Sequence, residues 1–143
     1  MQILIPIAGE GLRFKNSNFN KPKPLIDIFG KQMILRVIEC FDIEANFFFI
    51  LRKNSYYEEL KNLLLNKVSI NKIITTDHLT KGPACSAMLA ENYIKHDEEL
   101  IITNCDQYIK WNIEHFIART KIYPNDGIIV TYNTDVQQNS YAK

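Results

Sequence analysis

Short, continuously apolar runs alternate along this chain with segments whose apolar residues recur at helical spacing, and that alternation constrains the fold most. Residues 2–8 read as a strand, and Phe47-Phe48-Phe49-Ile50-Leu51 as a second one, too short and too uniformly apolar for a surface helix. Residues 70–76 form a third, Leu100-Ile101-Ile102-Thr103 a fourth and Gly127-Ile128-Ile129-Val130-Thr131-Tyr132 a fifth. Between them, Met33, Ile34, Val37, Ile38 and Phe41 share one helical face. Ser55 is placed to cap a helix carrying Tyr56, Leu60, Leu63 and Leu64. Pro83 suits the first turn of a helix running through Ala87, Met88, Ala90 and Ile94, and residues 112–121 make a fourth. Strand–helix–strand succession implies right-handed crossovers. The expected fold is therefore α/β, a Rossmann-like three-layer sandwich with a mostly parallel central sheet. Ligands of such sheets bind beyond the carboxyl ends of the strands.

The first strand runs into Gly9-Glu10-Gly11-Leu12-Arg13-Phe14, and Lys21-Pro22-Lys23-Pro24-Leu25 follows. Two glycines around one residue let the chain turn sharply and bring bare amides close to a ligand. Amides beside an Arg and two Lys make a phosphate site, here one for a triphosphate. It is neither of the common phosphate loops. Phe14 stands where the dinucleotide fingerprint has its third glycine, and the second strand ends in Arg52-Lys53 instead of an acid. A Walker loop is excluded because no Gly-Lys-Ser/Thr occurs.

Ala8 to Phe14, then Lys21 to Ile28, then Gly30-Lys31-Gln32-Met33-Ile34 resembles the signature of the sugar-phosphate nucleotidyltransferases. The resemblance continues through Thr80-Lys81-Gly82-Pro83-Ala84-Cys85 and Ile101 to Gln107, so that separated blocks follow one another in the family's order. It implies an enzyme that moves NMP from an NTP to a sugar 1-phosphate, releasing pyrophosphate and giving an NDP-sugar for surface polysaccharide synthesis. It also implies Mg²⁺ as cofactor, with a nucleoside triphosphate and a sugar 1-phosphate or other phosphate monoester as partners. Ala8, Gly9, Glu10, Gly11, Arg13, Lys23, Asp77, Gly82 and Asp106 become the nucleotide-binding set, with Arg13 and Lys23 catalytic.

The residue types suit those roles. Arg13 can grip two phosphate oxygens with its planar fork and stabilise the leaving group. Lys23, between two prolines, has its backbone held extended and its side chain aimed; the resemblance makes it the lysine bridging both phosphates. Asp106, at a strand's end, offers Mg²⁺ a hard oxygen, and it also suits an Asp turn or cap. Asp77, five residues before Gly82, stands where the family reads the base; an acid there favours cytosine or guanine, and a solvated loop Asp is the plain alternative. Lys21 and Lys31 are either ligand contacts or rim charge. The family's second metal carboxylate has no match, since Asp126 and Asp135 lie in the wrong context.

The other functional classes have weaker support. A cytidylyltransferase for a non-sugar phosphate such as phosphocholine would share the motif, and a truncated nucleotide-binding module would lack turnover. A glycosyltransferase would want an Asp-x-Asp metal motif, which is missing. Seventeen basic against sixteen acidic residues leave +1, with no field for nucleic acid or membrane. No run reaches the ~20 apolar residues of a membrane helix, and the amino terminus lacks a signal peptide's basic region, so a cytoplasmic location is expected. Cys40, Cys85 and Cys105 form no Cys-x-x-Cys and read as reduced thiols, and Cys105 has no neighbouring histidine to make it a nucleophile. His78, His96 and His115 have no metal-ligand spacing. Trp111 and the tyrosines are expected to cover the core. At 143 residues the chain has one domain's length, all of it the nucleotide-binding part of a nucleotidyltransferase domain. Because the pattern stops midway, truncation at the carboxyl end is expected, with an unfinished sheet that favours homo-oligomers.

Overall fold

A computed structural model describes residues 1–9, 21–122 and 127–135. They fall in two compact units, Met1–Trp111 and Asn112–Lys143. The first holds β1 (Gln2–Ile7), a 3-10 turn (Lys23–Leu25), β2 (Asp27–Ile28), β3 (Lys31–Gln32), α1 (Met33–Glu39), β4 (Asn46–Arg52), α2 (Tyr57–Lys67) and β5 (Ile70–Thr76). It continues with α3 (Pro83–Ala87), a 3-10 segment (Met88–Tyr93) and β6 (Leu100–Ile102). The second holds α4 (Ile113–Thr120), capped by Asn112, whose Oδ1 accepts from the His115 amide at 2.8 Å.

The main sheet is parallel throughout, in the order β5-β4-β1-β6. Its centre is apolar because both faces are covered. Phe48 and Ile50 of β4 join Leu4, Ala8, Ile74 and Ala90 in one buried cluster, on which Ala87 and Ile94 pack. Alternation sends Phe47 and Phe49 to the opposite face, where their rings stack at 6.1 Å and are also buried. Pro6 is tolerated in a central strand for a geometric reason. Gln2 N donates to Glu99 O and Leu4 O accepts from Thr103 N, so even-numbered residues of β1 face β6. The β6 ladder ends at the Leu4–Ile102 pair, and Pro6 lies past it, where no donor is required.

Several expectations need correction. Gly127 to Tyr132 is not a strand: the described main sheet has four strands. Apolar composition makes a strand only where a neighbour supplies ladder bonds. Here Ile129 and Tyr132 are 80% and 70% exposed. The helix from Pro83 narrows to 3-10 geometry after Ala87. Ser55 does not cap α2, which starts at Tyr57 without a side-chain cap; Asn54 Oδ1 instead accepts from the Tyr56 amide at 3.0 Å. Trp111 does pack edge-on against Phe41 and donates to Cys40 O at 2.7 Å, but Tyr93 and Tyr108 are exposed.

An unforeseen hairpin joins β2 to β3. Phe29 and Gly30 both have positive φ, 52° and 81°, as a two-residue primed turn requires. Arg36 donates to Ile28 O and Phe29 O, and Asp27 Oδ1 accepts from Gly30 N, so the tip is fixed from beneath.

Candidate active site

At the carboxyl end of the sheet lies a cavity of about 420 Å³. Five segments distant in sequence line it. The end of β1 contributes Pro6 to Gly9, and the loop before β2 contributes Lys21 to Pro24. Thr80 and Gly82 come from the β5–α3 connection, Pro83 and Ser86 from α3 itself, Asn104, Cys105 and Asp106 from the loop after β6, and Tyr56 from the start of α2. The parallel topology forces this meeting, since strands running the same way deliver their following loops to one edge.

Lys23 and Asp106 meet there across 83 residues of sequence. Lys23 Nζ donates to Asp106 Oδ2 at 2.8 Å, with side chains 24% and 31% exposed. Pro22 is extended (φ −67°, ψ 153°), but Lys23 opens the 3-10 turn and is not itself extended. The prolines explain the difference. Pro24 needs no donor in the first turn, and Leu25 N closes the turn on Pro22 O at 2.9 Å. The lysine is still fixed at its base, by a turn instead of an extended segment.

Ala8, Gly9, Gly82 and Asp106 also line the cavity. Glu10, Gly11 and Arg13 lie outside the described residues. Asp77 is not brought in: its carboxylate pairs with Lys53 at 3.2 Å and is 64% exposed. The β4–β5 register, which sets Arg52 beside Thr76, puts Lys53 and Asp77 next to each other just beyond the strands. Lys31 pairs with Glu39 away from the cavity, whereas Lys21 lines it and pairs with Glu59 at 3.2 Å.

Sequence reasoning missed Thr80, Ser86, Asn104 and Tyr56. Thr80 and Ser86 hydroxyls lie 2.5 Å apart, and both are within reach of Gly82 O, at 3.2 and 3.4 Å. This network satisfies Ser86, which is only 3% exposed. The available signal was position, because both residues flank the Gly82-Pro83 turn. Cys105 is pushed up to about 12, first by burial and then by the Asp106 charge, so its thiol stays protonated at neutral pH. The three histidines are exposed.

A model of the family described as nucleotidyl transferase matches residues 3–141. The chain belongs to that family. It is 27% identical over 134 residues to a mannose-1-phosphate guanyltransferase from Neurospora crassa, covering 91% of this chain and 37% of that protein. Among solved structures, HddC from Yersinia pseudotuberculosis, complexed with GMP-PN, superposes with a TM-score of 0.63 at 23% identity, covering 84% of this chain and 54% of that one. A nucleoside-diphosphate-sugar pyrophosphorylase from Vibrio cholerae RC9 gives a TM-score of 0.60 at 18% identity, covering 80% and 53%. These likenesses establish the nucleotidyltransferase fold, a mostly parallel sheet with flanking helices. The chain spans well under half the length of the Neurospora relative. Among the described residues no helix is long and apolar enough to cross a membrane.

Proposed function

We propose that this chain carries the nucleotide half of a nucleotidyltransferase site, which transfers NMP from an NTP to a sugar 1-phosphate and releases pyrophosphate. The observation that carries the reading is the Lys23–Asp106 pair, a fixed cation and a carboxylate joined at the sheet's carboxyl edge beside the bare Gly9 turn. The names of its relatives make GTP and a hexose 1-phosphate the first substrates to try. Supply of an NDP-sugar for surface polysaccharide, in the cytoplasm, is the corresponding cellular role.

In this reading the transition state gathers negative charge on the α-phosphate and on the departing pyrophosphate. Lys23 neutralises and positions the reacting phosphates, Arg13 grips the leaving group, and the amides from Gly9 to Gly11 hold the phosphate chain. The protonated Cys105 and the apolar wall of Pro6, Ile7 and Pro83 exclude water and competing nucleophiles.

The donor set fits a nucleotide-borne Mg²⁺. Among the described residues no group of three His, Cys, Asp or Glu could cage a metal, whereas one carboxylate with the Asn104 amide beside it suits an ion that keeps waters and phosphates. Asp106 would hold it, and when bound it would supply charge stabilisation to the phosphates.

The test is pyrophosphate release with GTP, Mg²⁺ and a panel of sugar 1-phosphates, with phosphocholine and CTP alongside. This chain, which matches 37% of the Neurospora relative's length, should bind nucleotide with little turnover, because positioning two phosphates supplies on the order of 7–11 kcal/mol of a barrier. Fast release by this chain alone would contradict its holding only the nucleotide half of the site.

A further inference from the structure

We propose that the Thr80 hydroxyl is a specificity-determining acceptor: it takes a hydrogen bond from an exocyclic amine of the nucleobase. The cavity then prefers an amine-bearing nucleotide to one that lacks the amine. The inference rests on the reading of this cavity as a nucleotide site and adds a residue that reads which nucleotide enters.

Three observations support it. The first is where the two hydroxyl protons go. Thr80 Oγ1 and Ser86 Oγ lie 2.5 Å apart, too close for two lone pairs to face each other, so one hydroxyl donates to the other. Ser86 is 3% exposed, and among the described residues its hydroxyl meets Thr80 and Gly82 O alone. If Thr80 donates to Ser86, the Ser86 proton goes to Gly82 O at 3.4 Å, and Thr80 has none left to give. If Ser86 donates to Thr80, the Thr80 proton goes to Gly82 O at 3.2 Å. Either way both protons stay within the triangle, and Thr80 Oγ1 keeps a lone pair to offer. A ligand N–H finds that lone pair ready. A ligand oxygen must first draw the Thr80 proton away from Gly82 O.

The second observation is the division of the cavity wall. Residues 80 to 86 contribute Thr80, Gly82, Pro83 and Ser86, none of them charged, whereas Lys21, Lys23 and Asp106 come from the segments before β2 and after β6. Phosphate oxygens are acceptors, so the lysines attract them and a lone pair repels them. The uncharged part of a nucleotide is left to the Thr80 side. There an amine can only donate, whereas a ribose hydroxyl can turn either way, so an acceptor discriminates through the amine. Third, Asp77, the carboxylate on the same connection, pairs with Lys53 at 3.2 Å and lies outside the lining, so the acceptor that this connection brings to the cavity is Thr80.

The experiment is calorimetry with Mg²⁺ and two pairs of nucleotides. GTP and ITP differ by the guanine amine, and CTP and UTP carry an amine and an oxygen on the same ring carbon. Whichever of GTP and CTP wild type binds more tightly should exceed its amine-free counterpart roughly tenfold, the scale of one hydrogen bond whose partner is left unpaired. Thr80→Val keeps the shape and still lets Ser86 donate to Gly82 O; it should weaken the amine-bearing nucleotide alone and so erase the preference. Thr80→Ser should keep it. Equal wild-type affinity within both pairs would overturn the proposal, whether or not any variant folds. So would a Thr80→Val protein that binds both members of the pair more weakly by the same factor, which is what loosening the Gly82 turn alone would do. The 2′-deoxy form of the preferred nucleotide should show the same Thr80→Val effect as the ribose form, and loss of the effect there would make a ribose hydroxyl the donor and overturn the amine. If wild type binds none of these nucleotides, the functional reading fails and this inference with it, a result distinct from nucleotide binding without amine preference.

Discussion

Gln2 is the least expected buried residue in the chain, and replacing it tests how the Asp106 loop is anchored. It sits in the central strand β1 at 1% exposure. Its Nε2 donates to Lys95 O at 2.9 Å and, more weakly, to Glu98 O at 3.4 Å, while its Oε1 accepts from the Lys95 amide at 2.8 Å. These bonds fasten the segment that feeds β6, and β6 leads directly to Asn104 and Asp106. Gln2→Leu keeps the volume and removes all three bonds. Two good hydrogen bonds at about 1 kcal/mol each set a loss of about 2 kcal/mol, since Lys95 is exposed and water can reach part of what is orphaned. For a chain of this size that corresponds to roughly 5–10 °C in Tm. Urea denaturation supplies the stability change, and hydrogen exchange should show Leu100 to Ile102 opening before β4 and β5. A change below about 0.5 kcal/mol, with unaltered protection of β6, would refute the reasoning and mean that the amide contributes nothing net.

Phe29→Asn should stabilise the protein by about 1 kcal/mol, because Phe29 holds a left-handed φ of 52° at 96% exposure and Asn-Gly is the preferred pair for such a turn; chemical denaturation checks it. Cys105 should resist iodoacetamide at pH 8 in the native protein while the exposed Cys85 reacts, as peptide mass mapping would reveal. The raised Cys105 value also fixes a sign. From pH 9, the ordinary thiol value, to about 12 the unfolded chain releases a proton that the native one keeps, so stability should fall with pH over that window, and less so in Cys105→Ala. Arg13→Ala should weaken GTP binding by about 1.5–3 kcal/mol, the scale of a charged hydrogen-bond partner, as calorimetry would measure.

How much was readable from the sequence depended on whether a feature was local. Continuous apolar runs need cover on both faces, so Ile3 to Ile7 and Phe47 to Leu51 could hardly be anything but central strands, and β5 spans the expected 70–76. The run from Gly127 to Tyr132 has the same composition without a described partner, and composition cannot supply one. That Gly9, Gly82 and Asp106 line one cavity followed from the rule about strand ends, which also pointed to Asp77, a residue outside the cavity lining; Lys23 was singled out by its flanking prolines and the resemblance. Their pairings did not follow from that rule. That Lys23 meets Asp106 requires β6 to lie beside β1, and that Lys53 claims Asp77 requires the β4–β5 register. Both are long-range facts that no spacing along the chain encodes. The Thr80–Ser86 hydroxyl pair was hidden for the same reason, since it depends on how Gly82 leads into α3.

The central claim is that the cavity at the carboxyl end of the sheet is where nucleotide binds, and amide chemical-shift mapping on ¹⁵N-labelled chain with GTP and Mg²⁺ tests it most directly. The account predicts that saturating GTP shifts the amides of Ala8, Gly9, Lys23, Thr80, Gly82, Asn104 and Asp106, and leaves the Lys53–Asp77 corner and α4 unmoved. Shifts confined to that corner or to α4, or no shifts at any nucleotide concentration, would contradict it.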